Sequence, residues 1–269
     1  MGQPAGERTP DTLFLRVVSA VVLVTIAVGA TWLGAPAFDI FVALFAVVMI
    51  WEWAGMCGIR LNSLTGWLLG LGVLLVILFA ALERYEGTVI AGLASMILLA
   101  GLGGRREKRW AVAGVLYLGI PCLALVSLRQ HPESGLVHVL ALFVIVWAND
   151  IGGYVFGRTI GGAKLAPKIS PNKTWAGVAG GLACGIAAAA VMATVAGGMS
   201  AVLAALLALA IGAAAQAGDL FESWMKRRFA VKDSGSLIPG HGGVLDRVDG
   251  LLAAAPLAAI LTIAARGGN

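Results

Sequence analysis

Residues 223–249 read SWMKRRFAVKDSGSLIPGHGGVLDRVD, and the placement of this stretch decides the fold. It packs the cations Lys226, Arg227, Arg228, Lys232 and Arg247, the aspartates Asp233, Asp246 and Asp249, His241 and a Gly-Gly pair into an otherwise apolar neighbourhood. One apolar run, Ala201 to Ala217, leads into it, and another, Leu251 to Ala265, leads away. Charge this dense between two membrane-length runs is costly near lipid, so the stretch is a functional site by default. The rest of the chain agrees. Of its 269 residues 59% are hydrophobic and 12% charged, where a soluble domain carries roughly 25% charged residues. The composition predicts an all-α, polytopic integral membrane protein.

Working outward, the apolar runs predict about nine transmembrane helices. They cover Val17–Leu33, Phe38–Trp53, Trp67–Leu82, Thr88–Leu102, Ala111–Leu128, Leu136–Phe156, Trp175–Val195, Ala201–Lys226 and Val244–Ala265. Several fall short of the roughly 20 residues of a full span, so eight or ten helices also fit. Ala35-Pro36-Ala37 mimics a signal-peptidase site, but the run before it is long for a signal sequence, and a retained first helix is the expectation. Residues 1–110 form an N-terminal group of four helices, and residues 111–269 a C-terminal region carrying two polar loops, 157–175 and 223–249. Of the 19 Lys and Arg residues, all but Arg84, Arg129 and Arg266 fall on the side that holds these loops if nine helices alternate. The positive-inside bias makes that side cytoplasmic. A formal charge of +5 without a soluble basic domain argues against a nucleic-acid partner. Cys57, Cys122 and Cys184 are scattered and odd in number, which suggests neither disulfides nor a metal site.

Spacing then suggests chemistry. Asp219, Glu222, Ser223 and Lys226 share one face of a helix, and Asp246 and Asp249 share a face of the next. A hairpin of these helices brings the carboxylates together, where a cation between them relieves their repulsion. Oxygen ligands suit Mg²⁺. Asp219 and Asp246 are the first choice of metal ligands; Asp249 is either a further ligand or the group that holds a neighbouring base. Lys226, Arg227 and Lys232 fit a polyphosphate, while a positive-inside loop alone accounts for Arg228. Gly242 and Gly243 would let a phosphate approach a helix N-terminus. Upstream, Ser170, Lys173 and Thr174 offer hydroxyls and a lysine at a helix start; the plain alternative is a connector with an N-cap at Thr174. Asn149, Asp150 and Tyr154 interrupt an apolar helix and would line the same cavity. Glu52 is most simply placed at the membrane interface, and His131 and His138 are bystanders.

The ordered set Ser223, Lys226-Arg227, Lys232-Asp233, Pro239-Gly240-His241-Gly242-Gly243 and Asp246-Arg247-Val248-Asp249 resembles the phosphatidate cytidylyltransferase (CDP-diacylglycerol synthase) family. Ser170-Pro171-Asn172-Lys173-Thr174-Trp175 is a second segment like that family's. The resemblance covers residues 150–250. It implies a membrane nucleotidyltransferase of phospholipid biosynthesis that converts CTP and phosphatidic acid to CDP-diacylglycerol and pyrophosphate. It further implies a Mg²⁺ cofactor, with a second cation left open, and a site on the cytoplasmic face of the inner membrane. Asp219, Lys226, Arg227, Asp246 and His241 would be the catalytic group. Ser170, Lys173, Thr174, Ser223, Lys232, Gly242, Gly243 and Arg247 would bind the nucleotide. His241 is expected as a phosphate donor rather than a general base, because a phosphate monoester is already anionic at pH 7. Oligomeric state, a homodimer included, stays open. Two other classes fit less well: a CTP-dependent polyprenol or lipid kinase, which would release CDP, and a non-enzymatic transporter of anionic lipids, which would need accessible sites on both faces.

Overall fold

The computed structural model describes residues 10–102, 105–196, 199–238 and 242–267. Among them the chain forms nine helices: α1 (Pro10–Leu33), α2 (Ala37–Cys57), α3 (Leu64–Ala81), α4 (Tyr85–Gly101), α5 (Arg105–Arg129), α6 (Gly135–Thr159), α7 (Trp175–Ala196), α8 (Ala201–Arg228) and α9 (Leu245–Gly267). Each matches one of the apolar runs read from the sequence, with Leu82, Leu102 and Val244 lying one residue outside α3, α4 and α9. Seven are long and apolar enough to cross a membrane; the apolar helices Val17–Leu33 and Tyr85–Gly101 are shorter. Local signals set the ends. Ser63 and Ser200 cap α3 and α8 by accepting from Gly66 and Leu203 at 3.2 Å. Gly58, at φ 73°, closes α2 in the left-handed conformation that a side chain would resist.

The helices alternate in direction, as their end contacts show. The Arg129 guanidinium donates to the Thr31 carbonyl at 2.7 Å, and Gln130 donates to the carbonyls of Ala80 and Ala81 at 3.1 Å. The C-terminal ends of α1, α3 and α5 therefore meet at one pole. At the other pole the last turns of α2 meet the start of α5, where Trp53 Nε1 donates to the Trp110 carbonyl at 2.9 Å. This bond ties α2 to the start of α5, and both of its residues fall within the N-terminal group of residues 1–110. Trp53, Phe38, Leu69, Leu118 and Leu142 fill the interior, while Ile97, Val195 and Val202 stand on the outer surface. Apolar side chains both inside and outside are what a lipid solvent permits.

Between α6 and α7 lies a strip without side chains. Gly153 and Gly157 on α6 face Gly177 and Gly181 on α7. A Cβ at Gly177 would lie 2.8 Å from the Gly153 carbonyl oxygen, and one at Gly181 2.6 Å from that of Asn149. Small residues four apart let two backbones approach this closely in a membrane.

The polar loop between these two helices is a short antiparallel hairpin, a departure from the irregular loop that its composition suggests. Strand β1 (Lys164–Ala166) pairs with β2 (Ser170–Thr174), Lys164 opposite Thr174 and Ala166 opposite Ser170. Ser, Pro and Asn are poor strand formers, so the hairpin is set by what it packs on rather than by propensity.

Gly181→Ala is expected to destabilise the protein by about 1–3 kcal/mol, because the methyl meets backbone that cannot move aside. Gly55→Ala, whose added methyl meets nothing within 4 Å, is expected to be neutral or stabilising. Thermal unfolding of both variants in detergent micelles checks the opposite signs.

Candidate active site

The last two turns of α8, the first turn of α9, the hairpin and the polar end of α6 enclose a cavity of about 760 Å³. Asn149, Asp150 and Tyr154 of α6 line it, as expected, with Lys173 and Thr174 of β2, Asp219 and Lys226 of α8, and Asp246, Arg247 and Asp249 of α9. The volume lies in the range of small-molecule sites, roughly 300–1,000 Å³.

Charges alternate around this wall. Lys226 Nζ sits 2.6 Å from Asp246 Oδ1 and 3.3 Å from Glu222 Oε1. Glu222 is only 1% exposed, so the ammonium is the counter-charge of a buried carboxylate as well as of the cavity aspartate. Lys173 forms an ion pair with Asp219, tying the hairpin to α8. Ser223, one turn on from Asp219, donates to its Oδ1 at 3.4 Å. The carboxylates of Asp150, Asp219 and Asp249 line the same cavity. Behind them Gln216 donates to Asn149 Oδ1 at 2.9 Å and to the Val178 carbonyl at 3.1 Å, which joins α8, α6 and α7.

Asp246 is the most constrained of the acidic groups. Its Oδ2 accepts from the backbone N–H groups of Ser234 (2.9 Å) and Gly243 (2.8 Å) and from the Ser234 hydroxyl (3.1 Å). The next two N–H groups, Val244 and Leu245, donate to Glu52 Oε1 and Oε2 at 2.7 and 2.8 Å. The backbone donors at the start of α9 are thus held by two of the protein's own carboxylates. That is a different use for Gly242 and Gly243 than the phosphate cradle read from the sequence. Gly242 takes φ 85°, and its Cβ would lie 2.8 Å from Asp246 Oδ2. A Cβ on Gly243 would lie 2.6 Å from both oxygens of Glu52. The glycines make room for carboxylates.

Arg227, Lys232 and Ser170 are not on the cavity wall. Arg227 is exposed and donates to the Ile169 carbonyl at 3.3 Å, clamping the hairpin from outside. Lys232 is exposed and Ser170 half-buried on the hairpin's far strand end. Thr174 lines the cavity, but its hydroxyl also accepts from Gly177 N–H at 3.1 Å and so caps α7, the plainer of its two expected roles. His241 lies outside the described residues. Glu52 departs from its expected interfacial place: it is 2% exposed and enclosed by protein, because three donors converge there. The nearest signal for it in the sequence is a lone acid in an apolar helix.

The donor set can be tested for a hard divalent cation. The cavity's acidic groups are all carboxylates, the oxygen chemistry that Mg²⁺ prefers. Among the described residues no three His, Cys, Asp or Glu side chains are drawn into a ready cage. Two carboxylates with open lone pairs suffice for an ion that takes the rest of its shell from water and substrate phosphates. The residues fit such an ion.

A helical membrane protein with an acidic, lysine-studded cavity at one pole is the class that fold and site define. The chain belongs to the cytidylyltransferase family, whose sequence profile it matches over residues 14–264. It is 40% identical over 252 residues to a phosphatidate cytidylyltransferase of Brucella suis, covering 92% of each chain. It is 42% identical over 272 aligned positions to one of Pseudomonas aeruginosa, covering 94% of this chain and 98% of the relative. A third relative of that name, from Staphylococcus haemolyticus, is 34% identical over 259 residues, 93% of this chain and 98% of its own.

Lys226→Met is expected to cost about 3–5 kcal/mol of stability, since it leaves Glu222 and Asp246 without their shared counter-charge. Arg227→Ala, at an exposed position, is expected to stay within about 0.5 kcal/mol of the parent. Denaturant titration in mixed micelles distinguishes them.

Proposed function

We propose that the chain is a phosphatidate cytidylyltransferase, converting CTP and phosphatidic acid to CDP-diacylglycerol and pyrophosphate. The observation that carries the reading is the ring of alternating ammonium and carboxylate groups, Lys173 with Asp219 and Lys226 with Asp246, around one cavity. Family membership and the names of the relatives support it. A phosphoanhydride brings negative charge that only such lysines can meet. Its metal brings positive charge that only such carboxylates can hold.

In this reading the lipid phosphate oxygen attacks the α-phosphorus of CTP. The bond from that phosphorus to the oxygen bridging to the β-phosphorus breaks, and pyrophosphate departs. Lys226 and Lys173 exchange part of their contact with Asp246 and Asp219 for phosphate oxygens, spreading the charge that gathers on the leaving group. Arg247 and Arg158, also on the cavity wall, orient the anionic substrates. Asp219, Asp249 and Oδ1 of Asp246 are the oxygens that would hold Mg²⁺. When bound there, the ion neutralises triphosphate charge and polarises the phosphorus. No general base is needed, since the attacking phosphate is already an anion. Catalysis is mainly positioning and electrostatic stabilisation.

The positive-inside bias supports an inner-membrane protein with nine passes and the cavity toward the cytoplasm, where CTP is made available. Phosphatidic acid reaches the site from the bilayer with its tails between helices. The outward Tyr154, whose hydroxyl accepts from Arg158 at 2.9 Å, stands where the cavity meets that surface.

The purified protein, given phosphatidic acid and each nucleoside triphosphate in turn, is expected to release pyrophosphate with a cytidine nucleotide alone. Chelation of divalent ions is expected to abolish the release, and Asp219→Asn to lower it by about 100-fold or more. Release of CDP in place of pyrophosphate would make the protein a lipid kinase. Cysteines placed at Lys173 and Lys232 are expected to react with impermeant reagents from the same side of the membrane; opposite sides would overturn the topology.

A further inference from the structure

Glu52 lies in α2, more than 180 residues before the acidic groups of α9, and belongs to none of the motifs that define the site. Its carboxylate is nevertheless fully engaged. Both oxygens are used: Oε1 accepts from Val244 N–H at 2.7 Å, and Oε2 from Leu245 N–H at 2.8 Å and from the Ser234 hydroxyl at 3.0 Å. The positive end of the α9 dipole faces it. Among the described residues no Lys or Arg pairs with it; its donors there are neutral, two backbone N–H groups and one hydroxyl. Such a group has little freedom to move, and neither do the atoms it holds.

What it holds is the frame of the cavity. The Ser234 hydroxyl lies between Glu52 Oε2 at 3.0 Å and Asp246 Oδ2 at 3.1 Å, and its single proton serves one at a time. The N–H groups of Gly243, Val244 and Leu245 are consecutive; the first goes to Asp246 and the next two to Glu52. Asp246 in turn sets the position of Lys226. The chain of contacts runs from α2 through the start of α9 to the lysine on α8 without a gap. Gly235 and Gly243 both lie where an added Cβ would come within 2.8 Å of this carboxylate, so the loop on each side of residues 239–241 is pressed against it.

We propose that Glu52 is a positioning residue for cytidylyl transfer. It grips the first backbone donors of α9 and Ser234, and so fixes Asp246, and through it Lys226, at the cavity wall. The proposal rests on the cytidylyltransferase reading of the site, and its test is built to separate the two. Glu52→Gln keeps the size of the side chain and removes its charge and one acceptor. It is expected to lower kcat by about 10–100-fold, the usual effect of losing a partner behind a site ligand, with KM for CTP changed by less than about threefold. Glu52→Gln and Ser234→Ala act on one linkage, so the double variant is expected to lose little more than the worse single one. A kcat per folded molecule within about threefold of the parent, or losses that multiply fully in the double variant, would overturn the proposal.

A second readout does not depend on the reaction. Val244→Cys is buried and held by Glu52 in the parent, so a maleimide is expected to modify it slowly. Adding Glu52→Gln is expected to raise that rate about tenfold as the start of α9 opens locally. An unchanged rate would overturn the proposal even if activity fell. Should the parent protein release no pyrophosphate from CTP and phosphatidic acid, the functional reading fails while the labelling result still decides whether Glu52 holds this frame.

Discussion

A carboxylate inside a membrane protein survives only where donors surround it, and the one at Glu52 is surrounded by three that all belong to the approach to α9. Hydrogen bonds to a charged group contribute about 1.5–3 kcal/mol each, and leaving the group bare costs more. The start of α9 is therefore not free to fray or rotate. Its first turn carries Asp246, and Asp249 follows one turn later on the same face. The angle at which those two carboxylates enter the cavity is inherited from a residue in the second helix.

From that fixed edge the rest of the site is assembled by pairing. Asp246 takes Lys226, Lys226 also takes the buried Glu222, and across the cavity Lys173 takes Asp219. Each pair costs desolvation that a pair of leucines would not, so stability is no explanation for keeping them. Substrate chemistry explains them better. In the proposed reaction, ammonium groups already ordered by carboxylates would turn to a phosphate without being desolvated anew, and the carboxylates so released would be open to a metal ion.

Much of this arrangement is legible in the chain itself. The nine apolar runs match nine helices, because in lipid the hydrophobic pattern and the helix are nearly the same constraint. The spacing of Asp219 and Lys226, or of Asp246 and Asp249, places each pair on one face because a helix has a fixed period. Other parts have no local signature. Glu52 looks like any acid near a helix end, and only tertiary contact reveals that it faces backbone 192 and 193 residues away. The hairpin of residues 164–174 is hidden because Ser-Pro-Asn-Lys-Thr has no strand propensity. It pairs because Lys173 and Arg227 fasten it to α8. Arg227 and Lys232 looked like cavity cations because a motif gives order along the chain, not direction in space.

The Gly242-Gly243 pair shows how one motif can satisfy a structural and a chemical demand together. A helix N-terminus attracts anions, and glycines before it commonly admit a phosphate. Here the first N–H groups are already taken, so the anion attraction of α9 is spent inside the protein, on Asp246 and Glu52. If the proposed nucleotide lies in this cavity, an unoccupied N-terminus beside it would compete with the lysines and pull the phosphates toward backbone rather than toward Lys226. Filling it with carboxylates removes that competitor and repels a misplaced phosphate. It leaves side-chain cations, Arg158, Lys173, Lys226 and Arg247, as the positive groups on the cavity wall. By this argument the glycines matter to the chemistry through what they exclude.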